Sequence, residues 1–206
     1  MKRSKKQNPA EIQKWLETEY PAIKNRAKSE DADIFWGDES GCQNENNYLK
    51  GYAPIGQTPL LPVGNTKLRV NLISAVTNQG KMRFMFFRES MNAKILIEFM
   101  RRLIKDSGKK VFLILDNLKS HHAIIVKEWL EKHANKIEVF YLPPYAPEYN
   151  PDEYLNGSLK RKMTDAGSAD SVDELESKAR RVLKSMQNDS AKVAALFKAK
   201  HVAYAS

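Results

Sequence analysis

The apolar positions of this chain change period several times, and each change marks an element. After a lysine-rich start, Asn8 and Pro9 form a helix-start signal, with Ile12, Trp15 and Leu16 on one helical face. Tyr20-Pro21 predicts a break, followed by a short helix over Ala22 to Lys28. The run "ADIFWGDES" predicts a strand from Asp33 to Gly37 that ends in an acidic turn. A long loop rich in Gly, Pro, Asn and Gln follows from Ser40 to Lys67, with Tyr48 and Tyr52 as expected anchors. "LRVNLISAV" and "MRFMFF" predict two strands joined at "TNQGK", a hairpin turn. Asn92 caps a helix that carries Leu96, Phe99, Met100, Leu103 and Ile104 on one face and stops near Gly108.

The next run, "VFLIL" from Val111 to Leu115, is apolar without alternation, the pattern of a parallel strand covered on both faces. A helix over roughly His121 to His133, expected to bury Ile125, Trp129 and Leu130, leads to a last short strand, "IEVFYL". Asn150, Pro151 and Glu153 then supply an N-cap, an N1 proline and the distal half of a capping box for a helix reaching about Met163. After the polar break "DAGSAD", a capped amphipathic helix places Val172, Leu175, Ala179, Val182, Leu183 and Met186 on one stripe, and a short helix is expected near Lys192 to Lys200. This order predicts an α/β fold: a mixed sheet of three antiparallel strands followed by two parallel ones, with helices on both faces.

Length and composition narrow the picture. A chain of 206 residues favours one substantial core. The longest aliphatic or aromatic run is about five residues, too short to span a membrane, and no apolar stretch follows the basic amino terminus as a secretion signal requires. The single cysteine, Cys42, has no partner for a disulfide and no nearby ligand at metal spacing, which reads as an incidental thiol in a reducing, cytoplasmic setting. Thirty-four Lys and Arg against 25 Asp and Glu give a net charge of +9, which points to a polyanionic partner such as nucleic acid. Basicity alone also fits anionic lipid or plain solubility.

The candidate chemistry is acidic. In the expected sheet the first and fourth strands lie parallel and adjacent, so Asp38 and Asp116, each placed just past a strand end, come close together at the edge where open sheets bind ligands. Glu153 opens the helix that follows the last strand and can face the same edge. Each acid also has an ordinary reading, as a turn residue, a strand-to-helix corner or a helix start. Three clustered carboxylates repel unless a cation is supplied, and hard oxygen donors favour Mg2+ or Mn2+. Two such ions roughly 4 Å apart suit phosphoryl transfer. The prolines of "LPPYAPEYNPDEYLNGSLKRKM" would fix the approach to Glu153, and Lys160, Arg161 and Lys162 on the following helix can reach phosphates or simply face solvent.

"FWGDES", "GYAPIGQTP", "LILDNLKSHH" and "LPPYAPEYNPDEYLNGSLK" together resemble the catalytic half of DDE transposases of the mariner superfamily, in its bacterial insertion-sequence branch, over about Asp33 to Lys162. The resemblance implies a ribonuclease H-like fold with Asp38, Asp116 and Glu153 as a catalytic, metal-binding triad for a two-ion Mg2+ or Mn2+ site. The 36 residues between Asp116 and Glu153 are close to that family's spacing, and Asp152 is the neighbouring competitor for the last position. It further implies cleavage at transposon ends, strand transfer into a target, commonly at TA, and assembly on paired DNA ends. Lys119, His122, Lys160, Arg161 and Lys162 are the expected DNA contacts, while His121 and His122 match the histidines after the second acid, in a secondary role.

On this reading residues 1–32 are leader helices, 33–165 the catalytic domain and 166–206 added helices. The long loop after Asp38 corresponds to an insertion that touches DNA or a partner subunit. Only 37 residues precede Asp38, too few for the helix-turn-helix modules of full-length relatives, so a separately encoded partner is expected to supply them. Two alternatives remain open at this stage: a silent DNA-binding remnant, and a stand-alone metal-dependent nuclease.

Overall fold

The computed structural model describes residues 6–44, 54–57 and 68–206, excepting the side chains of Lys119 and Ser120. Tyr48, Tyr52 and most of the loop read between Ser40 and Lys67 therefore lie outside the described residues. Five strands form one sheet: β1 (Ala32–Gln43), β2 (Arg69–Val76), β3 (Met82–Phe87), β4 (Lys110–Leu115) and β5 (Ile137–Tyr141). Their order is β3-β2-β1-β4-β5. The pairs β1–β2 and β2–β3 are antiparallel, whereas β1–β4 and β4–β5 are parallel. This is the mixed α/β sheet that the run of elements predicts.

Side-chain alternation divides the core into two layers. Phe35, Ile73, Leu113 and Leu115 face one side, where α3 (Ala93–Ser107) and α4 (Ile124–Lys132) cover them with Phe99, Leu103 and Val126. Trp36, Leu72, Phe112 and Ile114 face the other. There α2 (Tyr20–Ser29), α5 (Pro151–Asp165) and α6 (Val172–Gln187) bury Tyr20, Ile23, Leu155, Leu159, Leu175 and Leu183. The stripe expected on α6 is the one it buries, with Ser171 as its N-cap. A short α7 (Ser190–Ala195) follows.

Three expectations are corrected. Tyr20-Pro21 does not break the first helix: α1 (Pro9–Lys14) runs through a π-helical turn, Trp15–Glu19, straight into α2. The widened turn closes on the Tyr20 N–H to Trp15 carbonyl bond, and Pro21, which has no N–H to donate, then sits in the first turn of α2 where none is required. Second, β1 does not end at Gly37. Its pairing with β4 stops at Trp36↔Ile114, but its antiparallel ladder with β2 continues from Trp36↔Val76 to Gln43↔Arg69. Third, His121 and His122 belong to a 3-10 turn, Lys119–His122, that precedes α4. With that start shifted, Val126 takes the buried position and Ile125 is left 46% exposed.

Candidate active site

Asp38 lies inside β1 opposite Ser74, past the point where β4 stops pairing, so it is a strand residue and not a turn residue. Asp116 immediately follows β4, as the apolar run predicts. Glu153 occupies the third position of α5. Asn150 caps that helix by accepting from the Asp152 N–H at 3.0 Å, and its own N–H donates to the Pro147 carbonyl. The capping box is therefore not closed by Glu153, whose carboxylate makes no side-chain hydrogen bond among the described residues. The Asn150 amide also donates to the Gly37 carbonyl at 2.9 Å, tying the start of α5 to β1 beside Asp38.

Asp38, Asp116 and Glu153 thus border one cavity of about 720 Å3, floored by the Leu142–Pro147 segment. A second cleft of about 490 Å3 shares Asp38 and Glu153 with the first and runs toward Arg69, Arg88 and Lys160. Burial, reinforced by the charges of Glu153, Asp152, Glu39 and Asp116, raises the Asp38 carboxyl well above its ordinary range. Burial and then Glu39 push Asp116 up to about 6, and burial raises Glu153 against the opposing charge of Lys160.

Asp152, Asn156, Glu39 and His121, singled out less or not at all by sequence, build the surroundings. Asp152, beside Glu153, is fully buried. Its Oδ2 accepts from Ser74 Oγ at 2.6 Å and from the Asn156 amide at 3.4 Å. Asn156 also donates to Asp38 Oδ2 at 3.1 Å, so one amide bridges the two acids. Glu39 points to the opposite face from Asp38 and meets His121, whose Nε2 lies 2.7 Å from Glu39 Oε1 and whose Nδ1 lies 3.0 Å from the Asp116 carbonyl. The Asp116 carbonyl only accepts, so Nδ1 donates to it, and an ionised Glu39 favours a proton on Nε2 as well. Burial disfavours the doubly protonated form, but Glu39 and Asp116 outweigh it and the His121 pKa is raised.

The periodicity of α5 carries part of this signal: Asp152, Leu155, Asn156, Leu159 and Met163 form its buried stripe, one position off Glu153. The Glu39–His121 pair has no local signature.

Among the described residues, the one set of three whose ligand atoms all lie within 4.8 Å of one another is Glu39, Asp116 and His121. Asp38 and Glu153 are its neighbours across the cavity and do not belong to that set. The histidine in it already spends both nitrogens on protein acceptors. Asp116 Oδ1, by contrast, is buried with no hydrogen bond, its nearest ion-pair partner being His121 Nδ1 at 3.4 Å, and Asp152 Oδ1 and Asn156 Oδ1 are likewise buried without a hydrogen-bond partner. Carboxylate oxygens with raised pKa values, Asp116 Oδ1 among them without a hydrogen bond, fit a hard divalent cation better than they fit an empty cleft.

Of the expected DNA contacts, Lys160 lines the second cleft and His122 the first. His122 is exposed, bonded to the Asn117 amide oxygen and packed against Tyr141 at 4.3 Å between centroids. Arg161 and Lys162 are exposed but turn elsewhere: Arg161 donates to Ser158 Oγ, and Lys162 interacts with the charge of Asp189. Consecutive helical residues diverge by about 100°, so a basic triplet cannot face one cleft. The Lys119 side chain lies outside the described residues. No helix among the described residues is long and apolar enough to cross a membrane.

No curated protein matches the chain by sequence. Solved structures do match in fold. The Mos1 strand transfer complex shares 19% identity at a TM-score of 0.67, covering 100% of this chain and 65% of that one. The Mos1 mariner paired end complex with Mn shares 21% at 0.68, covering 100% and 66%. The catalytic domain of Mos1 mariner transposase shares 18% at 0.64, covering 98% and 97%. The chain therefore spans just under two-thirds of the first two relatives and nearly all of the isolated catalytic domain, with the same ribonuclease H-like architecture. The DDE superfamily endonuclease profile matches residues 33–176, which include all three acids, and the chain belongs to that family.

Proposed function

We propose that this chain is the catalytic domain of a DNA transposase, cutting DNA strands and joining them to a target with the help of Mg2+ or Mn2+. The observation that carries this reading is the convergence of Asp38, Asp116 and Glu153 on one cavity from three separate elements. The three would hold the metal. When bound, a pair of divalent ions activates the attacking oxygen and neutralises the leaving oxygen of a phosphodiester.

The chain's own residues prepare that site. Asn156 fixes Asp38 by hydrogen bonding, His121 braces the Asp116 main chain, and Asn150 locks the first turn of α5 against β1. Lys160 stands where a phosphate would enter from the second cleft. The net charge of +9 favours DNA as the partner. The finer parts of the proposal follow the motif resemblance: transposon ends and a TA-containing target as substrates, a bacterial insertion sequence as the source, a separately encoded helix-turn-helix half, and assembly on paired ends in the cytoplasm.

The test is strand cleavage and joining on DNA carrying the element's ends, with Mg2+ or Mn2+, comparing the parent with Asp116→Asn and Glu153→Gln. Both variants are expected to lose processing while keeping salt-sensitive binding. Unchanged processing in both refutes the assigned chemistry. Binding without processing in the parent identifies a DNA-binding remnant instead.

A further inference from the structure

The cavity beside the acids is lined by two chemically different sets of residues. One is Asp38, Asp116 and Glu153; the other is Leu118, Leu142, Pro143, Pro144 and Tyr145. A phosphate suits the first set and gains nothing from the second. Tyr145 is the unusual member. The residue is 55% exposed, the Lys6 ammonium lies over its ring at 5.6 Å from the centroid, and its hydroxyl makes no hydrogen bond among the described residues. Its φ of +60° lies in the left-handed region, which bulky L residues avoid and which Gly or Asn would fill without strain.

The strained turn is held from several sides. Gln7 donates to the Tyr145 carbonyl at 3.0 Å and to Glu148 Oε1 at 2.6 Å, while Leu142 and Ala146 are buried on either side. The chain thus maintains a strained backbone to present an aromatic ring that contributes little to the core. Within the protein the ring meets the Lys6 ammonium, a cation that can pair with a phosphate and leave the ring face to a base, so the strain points to a role in contacts made outside the protein.

We propose that Tyr145 is the floor of a nucleobase subsite, stacking on a base unpaired from the strand whose phosphate lies at Asp38, Asp116 and Glu153. This rests on the function proposed above. A base is the planar apolar part of a nucleotide, and it hangs beside its own phosphate, as both sets of residues line the same cavity. Leu118, 41% exposed on the turn after β4, adds a second apolar surface in the same cavity. Asn117 and His122 supply polar groups next to it. Every base has a π-face, so the subsite selects for an unpaired strand and tolerates sequence.

The experiment uses the full chain with Ca2+ in place of Mg2+, so that binding is read without cleavage. The probes are a blunt duplex and a forked duplex carrying one 5-iodouracil in the unpaired arm beside the junction. Irradiation is expected to crosslink that base to Tyr145, located by peptide mass spectrometry. Tyr145→Asn, which tolerates the left-handed backbone, should bind the forked DNA about fivefold or more weakly, from a stacking contribution of at least ~1 kcal/mol. Its affinity for the blunt duplex should not change, its thermal midpoint should hold or rise as the backbone strain is relieved, and Tyr145→Phe should match the parent.

Crosslinks confined to other residues overturn the subsite. Forked-DNA binding by Tyr145→Asn equal to the parent's, or lost equally for both probes, does the same while leaving the proposed function intact. A parent that binds neither probe removes the proposed function and the subsite with it.

Discussion

Asp152 and Glu153 are adjacent acids in opposite surroundings, and exchanging each for its amide should separate their roles. Asp152 is fully buried, with Oδ2 accepting from Ser74 at 2.6 Å and from Asn156 at 3.4 Å. Burial raises its pKa well above 3.8; the Ser74 hydrogen bond opposes this, and the charges of Glu153 and Glu39 add to it. A carboxyl raised in this way binds its proton in the folded state at pH values where the unfolded chain has released it. Its contribution to stability is therefore present at low pH and is lost as pH rises through the folded value. At pH 7 Asp152→Asn replaces a burdened acid with a neutral group that still accepts from Ser74 but places an amide N–H2 where Oδ1 has no partner, so the variant should stay close to the parent and well above Asp152→Ala.

Asp152→Ala instead strands the Ser74 hydroxyl in a dry site, a cost of about 1–3 kcal/mol. For a chain of this size that is a fall of about 2–4 °C in thermal midpoint per kcal/mol. Scanning calorimetry at pH 7 and a metal-dependent cleavage assay read both properties. Asp152→Asn should retain stability and cleavage, Asp152→Ala should lose several degrees, and Glu153→Gln should lose cleavage. Loss of cleavage in Asp152→Asn with retention in Glu153→Gln would reverse the assignment. An Asp152→Asn variant as unstable as Asp152→Ala would refute the claim that burial works against the Asp152 charge.

Without metal, Asp116→Asn should be more stable than the parent by a margin that grows from about pH 4 to about pH 6. The folded Asp116 carboxyl sits near 6 against an ordinary 3.8, so its ionisation is resisted only in the fold; thermal midpoints across pH check this, and a shrinking margin contradicts it. Mg2+ or Mn2+ should close that margin at pH 7 by stabilising the parent alone. Gly80→Ala should cost more than about 2 kcal/mol in urea unfolding, since φ is +86° and the new Cβ would stand 2.3 Å from the Ser190 carbonyl oxygen; a loss under about 1 kcal/mol would show that α7 yields easily. Lys160→Ala should lower DNA affinity and reduce the salt slope by about 1, whereas Arg161→Ala should change cleavage little because its side chain turns away from the cleft; equal effects would restore the whole basic triplet to the interface.

The sheet was legible because its strands advertise themselves locally. The unbroken apolar run from Val111 to Leu115 required cover on both faces, and the turn at Gly80 required a hairpin, so the strand order followed. Asp116 and Glu153 were legible for the same reason, each being tied to the end of a strongly patterned element. Asp38 was read as lying past a strand because β1 loses its apolar character at Gly37, yet its ladder with β2 persists, and no local pattern reports a partner outside the window. The π-helical turn at Trp15 was hidden because proline is compatible with a break or with a widened turn, and the packing of Trp15 and Tyr20 around Trp36 selects the second. The Glu39–His121 pair arises from two elements meeting beside the sheet, so it could not be read from either. Asp152 reads from the motif only as the competitor of Glu153, although its place on the buried stripe of α5 was available from spacing alone.

The central claim is that Asp38, Asp116 and Glu153 share a metal. Anomalous diffraction from crystals of the full chain grown with Mn2+ tests it most directly. The account predicts manganese in the cavity with oxygens of Asp38 and Asp116 in its coordination sphere, Glu153 facing the same ion or a second one, and the Glu39–His121 bond intact. Manganese bound instead by Glu39, Asp116 and His121, with Asp38 and Glu153 unengaged, would contradict it.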